Sequence, residues 1–187
     1  MKHVVRVQPA RGAGQDRAVV VPRLGGATIV LADGAGGTAH GAEAAQRIVD
    51  RLSFDIDALD VELAALGGQS TMIAIEIAGA TLRGVSAGDS EAWLVHDDGR
   101  IEDLTAHQQR KPLMGDGAVG VAFTATFVDA TLFVGSDGLF RYVKRDVIVA
   151  ACRTSSLDDA ADALLVAARL PGGGLQDDIS VVLCRPG

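Results

Sequence analysis

The sequence predicts an α+β fold in which antiparallel β-sheets are covered by helices. The order of the patterns is strands, two helices, many strands, two helices and one last strand. A parallel doubly wound sheet would instead show strict alternation of strands and helices. Asp97-Asp98-Gly99-Arg100, which closes the strand predicted at 92–95, is a hairpin signal of the kind found in antiparallel sheets. With 187 residues, 48% of them hydrophobic and 22% charged, the chain suits one domain over residues 1–187.

The first half of the chain contains three strands and then two helices. Alternating or continuous apolar residues predict strands at 4–7, 18–21 and 27–32, separated by glycine-containing turns. The third is a β-branched apolar run of the kind found in buried strands. Apolar residues at helical spacing then predict helices over 42–52 and 56–66.

After Gly68 the apolar period changes to that of strands. The predicted strands span 71–77, 81–86, 92–95, 121–128, 131–134 and 179–183. Helices are predicted over 143–151 and 157–170, and Ser156 with Asp159 resembles a capping box at the start of the second.

Charge and cysteine content narrow the classes of function. Net charge is 17 − 24 = −7, which argues against binding to nucleic acid or to an anionic membrane. No apolar run reaches about 18 residues, so no transmembrane span is expected. The N-terminal residues do not resemble a signal peptide. Cys152 and Cys184 lie far apart and are expected to be reduced and buried in a cytoplasmic protein.

Residues 27–37 suggest a metal site. The apolar strand ends on one carboxylate, Asp33, and Gly34, Gly36 and Gly37 follow it. Glycines remove side-chain bulk, so backbone carbonyls can approach whatever Asp33 holds. An acid and bare carbonyls together suit a hard cation such as Mg²⁺ or Mn²⁺.

Five acids share the position where an apolar strand meets a glycine or polar turn. They are Asp16, Asp33, Asp89, Asp137 and Asp177. One such acid is usually only a turn former. Acids gathered without basic partners repel one another strongly, so a cation must offset them. A two-metal site does so, and its usual chemistry is phosphoryl hydrolysis through a metal-activated water.

Six motifs in chain order resemble those of the metal-dependent serine/threonine protein phosphatases of the PPM family, type 2C. Each is weak alone, but together they run over nearly the whole chain. The motifs are the Arg-to-Asp opening at 11–16, Asp-Gly-x-Gly-Gly within 31–37, Gly-x-Ser-Thr at 68–71, Gly-Asp-Ser within 87–90, Ser-Asp-Gly-Leu within 135–139 and the closing Asp-Asp-x-Ser at 177–180.

The resemblance, to a compact bacterial-type form, implies a fold and an activity. The fold is a four-layer α/β/β/α sandwich of two antiparallel β-sheets flanked by helices. The activity is hydrolysis of phosphoserine and phosphothreonine on proteins in cytoplasmic signal transduction. The partner is then a phosphorylated protein, either a kinase or the target of one, and neither nucleic acid nor a membrane.

The resemblance also implies two Mn²⁺ or Mg²⁺ ions and assigns their ligands. Asp33 bridges the two ions, and the carbonyl of Gly34 joins the first. Asp137 and Asp177 complete the second ion's ligands. Asp89 helps to hold a third, weaker ion.

Two further roles and three departures come with the resemblance. Asp16 positions metal-bound water, and Arg11 holds the substrate phosphate, for which its planar fork suits paired oxygens. Gln15 replaces a family acid, Glu91 stands where Arg is common, and Arg141 stands where an acid is usual. These departures bear on metal affinity and substrate choice more than on the class of reaction.

The stretch between Asp89 and Asp137 is shorter than in the family and lacks most of the flap beside the site. Within it, residues 105–120 are polar, without a clear period, and contain Pro112 and glycines. This composition predicts a loose segment and an open site.

Three other interpretations fit parts of the sequence. Residues 84–88 fit the nucleophile elbow of serine hydrolases, but a strand and not a helix is predicted after them. Residues 34–39 fit a loose dinucleotide-binding pattern, but βαβ alternation is missing. The non-enzyme alternative is a catalytically weak, phosphatase-like binding or regulatory module. His40 and the Arg110-Lys111 pair are interpreted as exposed surface residues.

Overall fold

The computed structural model describes residues 1–36 and 40–187, so Gly37 of the predicted glycine motif lies outside the described residues. Two five-stranded sheets form its centre, and every neighbouring pair of strands is antiparallel. The first sheet has the spatial order β1 (Lys2–Gln8), β10 (Ile179–Arg185), β9 (Ala130–Gly135), β6 (Glu91–His96) and β7 (Ile101–Asp103). The second has the order β2 (Arg17–Arg23), β3 (Gly26–Ala32), β4 (Met72–Ala78), β5 (Thr81–Ala87) and β8 (Val121–Thr126).

Helices cover the outer face of each sheet. The second sheet is covered by α1 (Gly41–Arg51) and α2 (Ile56–Leu66). The first is covered by α3 (Asp137–Phe140), α4 (Arg145–Cys152) and α5 (Leu157–Ala167). The predicted α/β/β/α sandwich is therefore confirmed, although the sequence patterns predict neither the short strand β7 nor the short helix α3. No helix among the described residues is long and apolar enough to cross a membrane.

Strand β3 shows why its sequence is continuously apolar. Ile29 and Leu31 pack between the two sheets, whereas Val30 and Ala32 pack under the helices. All four side chains are fully buried. Because side chains alternate across a strand, both faces of β3 must be apolar.

The helix ends follow local sequence signals. The Asp55 side chain accepts a hydrogen bond from the Ala58 amide at 3.0 Å and begins α2. The Ser156 hydroxyl accepts a hydrogen bond from the Asp159 amide at 3.1 Å and begins α5, as its position in the sequence predicts. Gly67, with φ of 73°, ends α2 in the left-handed conformation that glycine adopts without strain.

The prediction of a loose segment over 105–120 is wrong. Asp60 of α2 accepts hydrogen bonds from the amides of Gly115, Gly117 and Ala118 at 2.8, 3.1 and 3.0 Å. Met114 is fully buried and exchanges two backbone hydrogen bonds with Ser70. The glycines bring backbone amides to an acid from another element, a contact that composition alone does not reveal.

Candidate active site

The pairing of β2 with β3 brings together the two acids at their ends. Arg17 is the register partner of Ala32, so Asp16, just before β2, and Asp33, just after β3, lie side by side. Asp16 is only 1% exposed, and Asp33 is half-buried. The second sheet thus contributes a close pair of carboxylates.

The first sheet contributes three more acids at the same edge. Gly135 at the end of β9 pairs with Val181 of β10 and with Glu91 of β6. This register places Asp137 after β9, Asp177 before β10 and Asp89 before β6 around a shared strand end. Asp33, Asp89, Asp137 and Asp177 line one cleft, here called the acidic cleft, and all five predicted acids converge at this edge.

Hydrogen bonds fix the backbone of Asp33. Its amide donates to Thr71 Oγ1 at 3.0 Å. Its carbonyl accepts from the Thr71 amide at 2.8 Å and from Ser70 Oγ at 2.9 Å. Thr71 Oγ1 also lies 2.8 Å from Ser90 Oγ, which links the two sheets. The predicted Gly-x-Ser-Thr motif therefore supports Asp33.

Gly34 is packed too tightly for any other residue. A Cβ atom at this position would lie 2.4 Å from the backbone oxygen of Gly41 and 3.0 Å from that of Gln15. The N-terminus of α1 therefore packs directly against the backbone beside Asp33. This close approach is the kind that glycine alone allows.

The acids perturb one another. Burial, and then the neighbouring carboxylates of Asp16, Asp137 and Asp177, raises the pKa of Asp33 to about 10. Burial also raises the pKa of Asp16 to about 6. Burial raises the pKa of Asp137, although Arg141 opposes this effect. Ionising all of these carboxylates at once therefore costs free energy unless a cation is present.

The donor atoms of the cleft suit a divalent cation. Asp16 does not line the cleft but lies next to Asp33; its two carboxylate oxygens are buried without a close hydrogen-bond partner among the described residues, although the Ser136 and Ser180 hydroxyls are near enough to lower its pKa. Buried carboxylates without partners are rare, and a hard cation with its water satisfies such oxygens. The Asp33 and Gly34 oxygens add to a donor set made only of oxygen. The residues therefore fit Mg²⁺ or Mn²⁺ by chemistry.

Arg141 lies among the acids of the first sheet. Its Nη2 atom is 2.6 Å from Asp137 Oδ2 and 4.0 Å from Asp89 Oδ2. Its Nη1 atom is 3.7 Å from Asp177 Oδ2. In residues 1–36 and 40–187 no three His, Cys, Asp or Glu side chains are already arranged to hold a metal ion. The guanidinium occupies space between carboxylates that would otherwise face one another.

The acidic cleft is small, about 270 Å³, and one of its walls is not indicated by the sequence. Lys111 and Leu113 of the anchored 105–120 segment line one side, and Gln15 and Asp178 line another. A larger cavity of about 630 Å³ lies among other residues, including His3, Arg23 and Phe127, and its lining contains no carboxylate side chain. Cavity volume alone would therefore suggest a functional site away from the acids.

Arg11 is exposed on the loop after β1 and is not among the described residues that line the acidic cleft. Its loop is nevertheless fixed beside the cleft. Asp178 accepts hydrogen bonds from the amides of Ala10 at 2.7 Å and Gln15 at 2.5 Å. The Gly14 amide donates to the Arg11 carbonyl at 3.2 Å. The phosphate-binding role of Arg11 stays a prediction.

The sequence patterns do not indicate that Lys111 lines the cleft or that Asp178 holds the loop that carries Arg11. They also do not indicate the ion pairs of Arg141. Lys111 reads as part of a solvated loop, and its only signal is the basic pair with Arg110. The Nη2 atom of Arg110 lies 3.2 Å from Asp89 Oδ2. The signal for Arg141 is its place one helical turn after Asp137, which brings the two side chains onto one helix face.

The serine-hydrolase and dinucleotide-binding interpretations find no support in the described structure. Ser86 is fully buried within β5, and strand β6 follows it, so no nucleophile elbow forms. The sheets are antiparallel, which excludes a βαβ dinucleotide unit over the described residues. His40 is exposed at the start of α1, where its Nδ1 atom lies 3.2 Å from Glu43 Oε2.

Solved structures of bacterial phosphatases share this architecture. The Mycobacterium tuberculosis serine/threonine phosphatase PstP is 24% identical, with a TM-score of 0.79, and 97% of each chain is covered. A second PstP structure, the catalytic domain in complex with two manganese ions, is 23% identical, with a TM-score of 0.78 over 97% of this chain and 96% of that one. The serine/threonine phosphatase Stp1 from Staphylococcus aureus is 17% identical, with a TM-score of 0.80 over 97% of this chain and 93% of that one.

No family model matches the sequence, and no curated protein matches it. The structural likeness nevertheless spans almost the full length of these chains. At such low identity it establishes the architecture and not the chemistry. The chain therefore has the fold of the bacterial serine/threonine phosphatases.

Proposed function

We propose that residues 1–187 form one catalytic domain, a metal-dependent phosphatase that hydrolyses phosphoserine and phosphothreonine on proteins. The observation that carries this proposal is the convergence of Asp16, Asp33, Asp137 and Asp177 at one end of the sandwich, with the carboxylate of Asp16 buried and without a close hydrogen-bond partner in the described chain. The likeness to PstP, which has been solved with two manganese ions, supports the same chemistry.

Different residues of the cleft would hold different metal ions. Asp33 and the Gly34 carbonyl would bind the first Mn²⁺ or Mg²⁺, and Asp33 with Asp137 and Asp177 the second. Asp89 would take part in a weaker third site. When bound, the ions supply an activated water and stabilise charge on the phosphoryl oxygens. Asp16, which lies beside Asp33, would orient that water.

Cationic side chains would bind the phosphoprotein substrate. Lys111 lines the acidic cleft and offers a positive charge to the phosphoryl group. Arg11, on the loop held by Asp178, would hold the phosphate with its planar fork. Selectivity among phosphoproteins, including a kinase or its target in signal transduction, would come from surfaces beyond this small cleft. The free, buried Cys152 and Cys184 support a reducing compartment such as the cytoplasm.

The alternative function is a catalytically weak, phosphatase-like binding or regulatory module. The ion pairs of Arg141 favour it, because they engage Asp137 and Asp177. Retention of all five acids favours the enzyme.

Hydrolysis of an aryl phosphate by metal-stripped protein, with and without added Mn²⁺, separates the two functions. The enzyme proposal expects turnover that appears with Mn²⁺ or Mg²⁺ and disappears on chelation. Turnover that survives exhaustive chelation would contradict the metal-dependent mechanism. Absence of turnover in folded, Mn²⁺-loaded protein would favour the binding module.

A further inference from the structure

Arg141 contacts one half of the acidic cleft and not the other. Its ion pairs reach Asp137, Asp177 and Asp89, at 2.6, 3.7 and 4.0 Å. Within the described chain it forms no ion pair with Asp33 or Asp16, the acids contributed by the second sheet. The half of the cleft that the first sheet contributes is therefore partly neutralised, whereas Asp33 and Asp16 form no such ion pair with any residue that the structure describes.

A metal ion and the Arg141 guanidinium compete for the same oxygen atoms. Asp137 Oδ2, the nearest acceptor of the guanidinium, is also an atom through which Asp137 would bind a cation. A divalent ion beside a guanidinium would add repulsion between two positive groups to the loss of the Asp137 ion pair. Both effects lower the affinity of this half for metal.

The guanidinium is able to leave without unfolding its helix. The Arg141 side chain is 51% exposed, whereas that of Asp137 is 13% exposed. The Arg141 amide donates to the Asp137 carbonyl at 3.0 Å, and this bond does not depend on where the side chain points. Rotation of the side chain toward solvent would expose Asp137 and leave α3 in place.

We propose that Arg141 is an internal cation that competes with divalent metal ions for Asp137, Asp177 and Asp89. Metal enters this half of the cleft only as the guanidinium leaves. The Asp33 half fills first, and the Asp137 half fills at higher metal concentration. This inference rests on the proposed metal-dependent function and concerns which residue sets the affinity of the second ion.

The test measures Mn²⁺ binding by isothermal titration calorimetry to metal-stripped wild type, Arg141→Gln and Arg141→Lys. Arg51→Gln serves as a matched control, because Arg51 pairs with Glu62 on another face. Thermal melts in a chelator accompany each titration. These readouts do not depend on turnover.

Competition predicts that Arg141→Gln binds the weaker Mn²⁺ ion roughly tenfold more tightly than wild type. The same variant melts at a lower temperature without metal, because its acids lose their internal cation. Arg141→Lys, which keeps a positive charge, stays closer to wild type in both measurements. A merely structural role predicts the opposite direction for affinity, since a disturbed site binds metal less well.

The outcomes separate this inference from the proposed function. If wild type binds Mn²⁺ and Arg141→Gln binds it no more tightly, the competition is refuted and the metal-dependent function stands. If wild type binds Mn²⁺ weakly and Arg141→Gln restores tight binding, the competition is supported. If neither protein binds Mn²⁺, although both are folded by circular dichroism, the metal function fails and the competition fails with it.

Discussion

Asp33 shows how far the place of a single residue can be predicted. A buried apolar strand that ends on an acid and is followed by glycines is enough to place this carboxylate at a sheet edge. The support from Ser70 and Thr71 also lies in a recognised motif. The raised pKa of Asp33 is not predictable in detail, because it depends on acids that are distant in sequence.

Replacing Asp33 tests the metal-ligand assignment. Asp33→Asn should lose nearly all Mn²⁺-dependent turnover, because a neutral amide binds a hard cation more weakly than a carboxylate does. The same change should stabilise the metal-free protein, since it removes a buried carboxylate surrounded by other acids. Turnover and thermal melts in a chelator measure the two effects. A variant retaining more than roughly a tenth of the wild-type rate, a barrier change under about 1.4 kcal/mol, would show the assignment to be wrong.

The loop that Asp178 holds gives a second prediction at the scale of single residues. Asp178→Ala should leave the amides of Ala10 and Gln15 without their acceptor, at a cost of about 1–2 kcal/mol in the free energy of unfolding. The freed loop should raise KM for a phosphopeptide more than it lowers kcat, because it carries Arg11. Urea unfolding and steady-state kinetics measure both.

Asp98→Ala is the matched control for Asp178→Ala. Asp98 also accepts one backbone hydrogen bond, from the Arg100 amide at 2.9 Å, but at the β6–β7 hairpin. The Asp98→Ala change should lower the free energy of unfolding slightly and leave KM for the phosphopeptide unchanged. An unchanged KM in Asp178→Ala would mean that the loop does not position substrate.

At the scale of elements, strands are easier to predict than the segments between them. Strand β3 is apolar on both faces, and this property is written in its own residues. The short helix α3 and the anchoring of 105–120 depend on contacts with other elements. A glycine-rich segment has many conformations available, and the acid that selects one of them, Asp60, lies in α2.

Asp60→Ala should release the 105–120 segment. Loss of the acceptor for three backbone amides is expected to cost about 1–3 kcal/mol in the free energy of unfolding. Trypsin cleavage after Arg110 in the native protein should become faster, because the segment opens more often. Asp57→Ala, on the same helix but with an exposed acid in the first turn, is the control. Equal cleavage rates in the two variants would contradict the anchoring role.

At the scale of the whole molecule, strand ends from two sheets assemble one charged cleft. The apolar patterns predict that the acids lie at strand ends, and the motif order predicts that they meet. The position of Arg141 between them is beyond prediction, because a side chain's partners depend on how the two sheets are stacked. The effect of Arg141, which departs from the motif pattern, is thus interpretable only in the folded molecule.

The clustered acids predict a pH dependence for the metal-free protein. The folded-state pKa values of Asp33 and Asp16, about 10 and about 6, exceed the usual value for aspartate. Their contribution to stability is therefore fully present below about pH 4 and is lost as pH rises toward these values. In a chelator, the melting temperature should fall between about pH 5 and about pH 8. With Mn²⁺ the trend should weaken or reverse, because metal binding favours deprotonated ligands. A chelated protein whose melting temperature rises over this interval would contradict the account.

The central claim is that the acidic cleft uses bound metal to hydrolyse phosphoproteins. The most direct measurement is phosphate release from a phosphothreonine peptide by metal-stripped protein as Mn²⁺ is added, with Asp33→Asn measured in parallel. The account predicts a rate that rises with Mn²⁺ and saturates in wild type and stays near background in Asp33→Asn. A rate that is independent of Mn²⁺, or equal in the two proteins, would contradict it.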